Sequence, residues 1–90
     1  MKPTVRITGS AARYLKRKLG VLAKSSKQYL RIVPAPGGVA GLLLDRARRE
    51  DEVIRVNGVP ILLVSPPLVP VLRGTVLDYE EGGSGLVLSK

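Results

Sequence analysis

The sequence predicts an α+β domain dominated by strands, and three observations point there. The apolar share is 44%, but it is almost wholly aliphatic with no Phe or Trp, and the many Val and Ile side chains suit a pleated surface. Short apolar runs alternate at a period of two and are closed by Gly, Pro or Asn-Gly. One longer stretch has apolar residues at helical spacing. Ninety residues make a single domain, residues 1–90, near the small end of what folds alone. With no Cys there is no disulfide staple, so stability rests on packing, with oligomerisation as a further source.

The elements follow in order. Val5 and Ile7 share one face of a first short strand. Thr8 or Ser10 can cap a helix over residues 11–23 through its hydroxyl. Ala11, Leu15, Leu19 and Leu22 form one apolar stripe along it, and Arg13, Lys16, Arg17 and Lys24 fall on the opposite side. Gly20 weakens its last turn by about 1 kcal/mol relative to Ala. Residues 28–33 alternate as a second strand, with Leu30, and Ile32 beyond it, as the inward positions; Pro34 and Pro36 end it. Gly37, Gly38 and Gly41 free the backbone of the loop that follows.

Residues 42–45 read as a third strand and residues 46–52 as a charged turn. Asn57-Gly58 between two apolar runs predicts a hairpin with a type I′ turn, over residues 53–64. Ser65-Pro66-Pro67 starts a helical piece that Pro70 limits to a single turn or a 3₁₀ segment. Strands over residues 75–79 and 85–88 complete the chain. The expected fold is six or seven short strands with one N-terminal helix and one short helical turn.

Two absences bound the chemistry. The chain has no Cys and no His. That removes the thiolate and imidazole most used for transition metals, and the commonest nucleophile and general base. The expectation is a protein that is not an enzyme and holds no cofactor. Asp45, Glu50, Asp51 and Glu52 are the one dense acidic group and could hold a hard ion such as Mg²⁺, but Arg46, Arg48 and Arg49 stand among them to neutralise it. Ser65 and Ser84 have no His partner, and Asp78, Glu80 and Glu81 read as a solvated strand end. The glycine loop follows a strand as a P-loop does, but it lacks the Gly-Lys-Ser/Thr ending.

Charge is uneven. Residues 1–44 hold nine Lys or Arg and no acid, whereas residues 45–90 hold six basic and seven acidic residues, so the net +8 arises in the first half. Such a half attracts nucleic acid, an acidic protein face or an anionic ligand, or simply keeps a small protein soluble. Residues 1–9 lack the apolar core and cleavage site of a signal peptide. No apolar run approaches the roughly 20 residues that span a bilayer, and residues 59–72 are interrupted by four prolines. The expected location is cytoplasmic.

The order of pieces resembles the HesB-like, A-type iron–sulfur carrier family over nearly the whole chain. The similar pieces are Val5-Arg6-Ile7-Thr8 before a helix, Leu30-Arg31-Ile32 running into Gly37-Gly38 and Gly41, residues 51–59 as acidic turn and hairpin, residues 72–79, and residues 83–88. The resemblance implies a β-rich pseudobarrel or sandwich, often assembled as dimers or tetramers. It also implies three cluster-binding cysteines. The first aligns with Val39, and the other two belong to a C-terminal tail that would begin near Lys90. None of the three positions is filled, and clusters are held chiefly by thiolates. The family's ligand roles therefore transfer to no residue here.

What the resemblance leaves is a degenerate scaffold. The leading reading is an interaction or adaptor module, in iron–sulfur cluster assembly, with a cluster-assembly protein or apo-target as partner. Its candidate partner or subunit interface is the loop of Gly37, Gly38, Val39, Ala40 and Gly41, since loop positions are disproportionately used for binding. A valine there is also expected to pack into the core in place of a thiol. Two alternatives stand beside it. A small nucleic-acid-binding protein would use the basic face of Arg13, Lys16, Arg17 and Lys24, though aromatic interleaving is scarce. A structural subunit that completes a heteromer would bury Leu42, Leu43 and Leu44, or the Pro-rich residues 63–72, and homo- or hetero-oligomers are both open to the leading reading as well.

Overall fold

Val5–Ile7 forms strand β1, and the chain turns at Thr8 into helix α1, Gly9–Leu22. Of the two candidate caps, Thr8 is the one used. Its backbone is extended and its Oγ1 accepts from the Ala11 amide at 3.2 Å. The same hydroxyl donates to Asp78 Oδ1 at 2.6 Å, which ties the helix start to a later strand. Replacing Thr8 by Ala should cost about 1 kcal/mol, and Thr8→Ser, which keeps the hydroxyl, should recover most of it in a urea melt.

The computed structural model describes residues 4–36, 39–83 and 85–89. After α1 come β2 (Gln28–Pro34), β3 (Ala40–Arg46), β4 (Glu52–Val56) and β5 (Val59–Val64). A 3₁₀ turn at Pro66–Leu68 then runs into the single-turn helix α2, Val69–Leu72, followed by β6 (Thr75–Glu80) and β7 (Gly85–Ser89). Pro66 opens this helical piece and Gly74 lies just past its end, as the proline spacing predicts. The fold is thus mainly-β α+β, with seven strands, one long helix and one short one among the described residues.

The strands form two mixed sheets, β1-β6-β7 and β3-β2-β5-β4. In the first, β1 runs parallel to β6 and β7 antiparallel to it. In the second, β2 pairs antiparallel with β3, and parallel with β5 where Arg31 lies opposite Leu63. The hairpin β4–β5 turns at Asn57 (φ 53°) and Gly58 (φ 80°), the two left-handed residues that a type I′ turn needs. An isolated antiparallel bridge between Val39 and Val87 links the two sheets.

The core lies between the sheets and under α1. Leu30 and Ile32 of β2, Ile54 of β4, Ile61, Leu62 and Val64 of β5, and Leu77 of β6 meet Ala11 and Leu15 of the helix there. The register of β4 and β5 shifts between Ile54 and Arg55, so one extra residue of β5 is accommodated and both Ile61 and Leu62 reach the core. The helix stripe differs from the spacing expected. Ala11, Ala12 and Leu15 are buried, but Leu22 is 42% exposed. The last turn of α1 borders an open cleft of about 380 Å³ lined by Leu19, Ala23, Tyr29 and Val59. The helix ends at Leu22, where Ala23 turns extended while its amide still donates to Leu19 O, so Lys24 lies beyond it.

No helix among the described residues is long and apolar enough to cross a membrane.

Candidate functional site

The candidate loop resolves into residues of different kinds. Gly37 and Gly38 lie outside the described residues. Val39 does not fill core space. It is 37% exposed, and its carbonyl accepts from the Ala35 amide at 2.9 Å. Its bridge partner Val87 pairs with Asp78 across β6–β7, on the face opposite to core residues Leu77 and Leu86. Side chains alternate along a strand, so Val39 points outward and Ala40 turns in and is buried.

The same alternation extends the outward row to Gly41 and Leu43. Val33 lies opposite Gly41, and Arg31 opposite Leu43. Val33 is 44% exposed and Leu43 53% exposed. Gly41 lets the strands sit close here, because a Cβ on it would lie 3.3 Å from Val33 O. Val33, Val39, Leu43 and half-buried Val87 therefore form an outward apolar patch around a glycine. Leu42 and Leu44 face the other way and pack against the core.

One polar centre beside this patch is not visible in the local sequence pattern. Arg31 is buried, with only 7% of its side chain exposed, although it stands in the middle of an apolar strand. All five of its N–H donors are used. Nε donates to Asp45 Oδ2 at 3.0 Å, and the two terminal nitrogens reach Asp51 Oδ1 and Oδ2, each at 2.7 Å. The remaining two donate to Ser65 Oγ at 2.8 Å and to Arg46 O at 3.2 Å. The guanidinium hydrogen bond holds the Asp51 carboxyl below its ordinary range against the opposing effect of burial, and the Arg48 amide assists. Asp45 is also held low, first by the Arg46 amide and then by Arg31. The same contacts raise the Arg31 pKa further still. This unit stitches β2, β3, the 47–51 turn and the start of the helical piece together.

It also settles the acidic group. The cation that pairs with Asp45 and Asp51 is chiefly Arg31, while their sequence neighbours Arg46 and Arg48 contribute backbone amides and the Arg48 guanidinium reaches Asp45 only at 3.8 Å. Glu52 accepts from Thr4 Oγ1, and Glu50 is exposed. Among the described residues no three His, Cys, Asp or Glu side chains gather as a metal site. Asp78 is held low by Thr8 Oγ1 and by the Tyr79 amide, and Ser65 is an acceptor for Arg31.

Of the candidate basic face, Arg13, Lys16 and Arg17 are exposed on α1. Lys24 is exposed too, but it lies in the turn beyond α1, where its amide donates to Gln28 Oε1 at 2.6 Å. Tyr14 of α1 stacks on Tyr79 of β6 with ring centroids 4.2 Å apart, and Lys18 lies over Tyr14 at 5.8 Å. Two of the three aromatic rings are therefore spent on joining helix to sheet.

No protein-family model matches the sequence, and no curated protein does. Solved structures do match. A protein from Aquifex aeolicus, solved by NMR in solution, superposes with a TM-score of 0.69 at 24% identity, over 100% of this chain and 99% of that one. Escherichia coli SufA, involved in the biosynthesis of iron–sulfur clusters, superposes at 0.63 with 20% identity, over 94% of this chain and 81% of SufA. The fold is HesB-like. IscA, solved with a 2Fe–2S cluster, gives 0.60 with 21% identity over 93% of this chain and 80% of IscA. On this HesB-like scaffold the position expected to align with the family's first cysteine is Val39, pointing outward beside β7. With neither Cys nor His anywhere in the chain, the residues present do not fit an iron–sulfur cluster.

Proposed function

We propose that this chain is a non-catalytic interaction module of iron–sulfur cluster assembly. In this reading it docks a cluster-assembly protein through the patch of Val33, Val39, Leu43 and Val87, and holds no cluster itself. The observation behind the reading is the outward apolar row at the position where the resemblance places a ligand. The likeness to SufA and IscA supports the pathway. Removing these side chains from water is the driving force available to a surface with no ligand chemistry.

Two measurements test it. Anaerobic reconstitution with ferrous iron and sulfide should leave the protein without a visible chromophore; a stable chromophore stoichiometric with protein overturns the reading. Titration against purified SufA or IscA should shift the amides of Val33, Val39 and Leu43. Val39→Asp combined with Leu43→Asp should weaken that binding at least about tenfold, a change of about 1.4 kcal/mol, with little change in the melting temperature. Undiminished binding overturns the patch. Self-association that is lost in the same double variant assigns the patch to a second copy and overturns the adaptor role.

A further inference from the structure

The two sheets meet at the Val39–Val87 bridge on one side, but on the other side no ladder joins β1 and β4 among the described residues. A cleft of about 340 Å³ opens there, lined by Val5, Arg6 and Ile7 of β1, by Ile54, Arg55 and Val56 of β4, and by Asn57. One end is pinned, because Thr4 Oγ1 donates to Glu52. β1 and β4 are both edge strands, so each has backbone groups directed into this seam.

Which groups these are follows from the ladders. Thr4 O accepts from the Gly74 amide at 3.2 Å, and the Thr8 amide donates to Leu77 O at 3.0 Å, so residues 4, 6 and 8 bond toward β6. The N–H and C=O of Val5 and Ile7 therefore point away from β6, into the seam. On β4, Val56 and Val59 flank a two-residue turn and form a hydrogen-bonded pair, so Val56 and Ile54 bond toward β5. Val53 and Arg55 direct theirs outward. The floor is apolar, from buried Val5 and Ile54. The rim carries exposed Arg6 and Arg55, neither of which has an ion-pair partner among the described residues.

We infer that the β1/β4 seam accepts an extended, carboxylate-bearing segment of another protein as an added strand. Backbone hydrogen bonds from Val5, Ile7, Val53 and Arg55 supply the recognition common to strand addition, and Arg6 and Arg55 select acidic side chains on the segment. The same two arginines repel the matching edge of a second copy, so the occupant is not this chain's own β1/β4 edge. This surface is separate from the Val39 patch, and the inference does not rest on the iron–sulfur reading.

The probe is a capped peptide alternating valine with glutamate, added to the isotope-labelled full chain at low salt. The expected result is binding that shifts the amides of Val5, Ile7, Val53 and Arg55 and slows their hydrogen exchange. A valine–lysine peptide should bind at least about tenfold more weakly, and so should the glutamate peptide N-methylated at alternate residues. Arg6→Glu with Arg55→Glu should reverse the preference between the two unmethylated peptides. No binding of the glutamate peptide, equal binding of its N-methylated form, or shifts confined to Arg13, Lys16 and Arg17 on α1 overturns the proposal. The N-methyl comparison uses the unaltered protein, so it decides the matter even where the double variant folds poorly.

Discussion

Arg31→Ala should destabilise the domain by about 3–5 kcal/mol, the cost typical of breaking a buried ion pair by removing one partner. That is a large fraction of the 5–15 kcal/mol (roughly) that holds most domains folded. The loss has two parts. The five acceptor atoms lose the guanidinium as donor, and the Asp51 carboxylate, with 1% of its side chain exposed, stays buried with only the Arg48 amide and the more weakly acting Arg48 charge to offset it. Arg31→Lys should recover little, because three donors on a point charge cannot replace a planar fork that meets both oxygens of Asp51. Urea unfolding checks the magnitude.

The pH dependence checks the cause. In the unaltered protein both Asp45 and Asp51 are held below the ordinary carboxylate range. Their contribution is complete above the unfolded carboxylate pKa of about 4 and is lost as pH falls through the lower folded values. Without Arg31 the sign reverses for Asp51. Burial, the largest remaining influence and now opposed only by the Arg48 amide and charge, should raise its folded pKa above the unfolded one, so protonation then favours the folded state. Between about pH 6 and pH 4 the variant should gain stability while the unaltered protein holds steady. Parallel profiles for the two proteins would show that Arg31 acts by packing alone.

How much of this was legible in the sequence depends on what each residue's state is decided by. The hairpin was legible because Asn57-Gly58 has one cheap conformation between apolar runs, and the structure shows both residues at positive φ. The helical piece is short as expected, but Pro70 sits in the first turn of α2, where proline is tolerated, rather than ending the piece. Arg31 was hidden because its burial depends on Asp51, which is 20 positions away and reaches it only through the turn after β3. The one signal was an arginine inside an apolar alternation, on a strand paired with one that carries Asp45 near its end. The orientation of Val39 was hidden for a related reason. A valine in a glycine loop reads as buried by residue type, whereas its direction is set by the bridge to Val87. Ser65 likewise reads as a turn residue, and only the fold makes it an acceptor for Arg31.

Leu62→Ala should cost about 2–5 kcal/mol, the range for truncating a buried leucine, and should lie near the top of it. Leu62 has no exposed surface and sits on β5, which is flanked by β2 and β4 and buried at four consecutive residues. A central strand fixed on both sides cannot move to fill the space, and the cavity term grows where collapse is blocked. The irregular register beside Ile54 adds a second reason, since Ile61 and Leu62 both serve the core and neither can be spared by a slip of one residue. Leu63→Ala is the informative comparison. Leu63 is equally buried, yet it lies outside the core cluster, opposite Arg31 on the outer face of the sheet. Its loss should therefore couple with Arg31→Ala in a double-mutant cycle, by at least about 0.5 kcal/mol, while Leu62→Ala adds to Arg31→Ala independently. Coupling of Leu62 with Arg31 instead would mean that the guanidinium unit and the core respond as one, and the division of the sheet into an inner apolar face and an outer polar centre would fail.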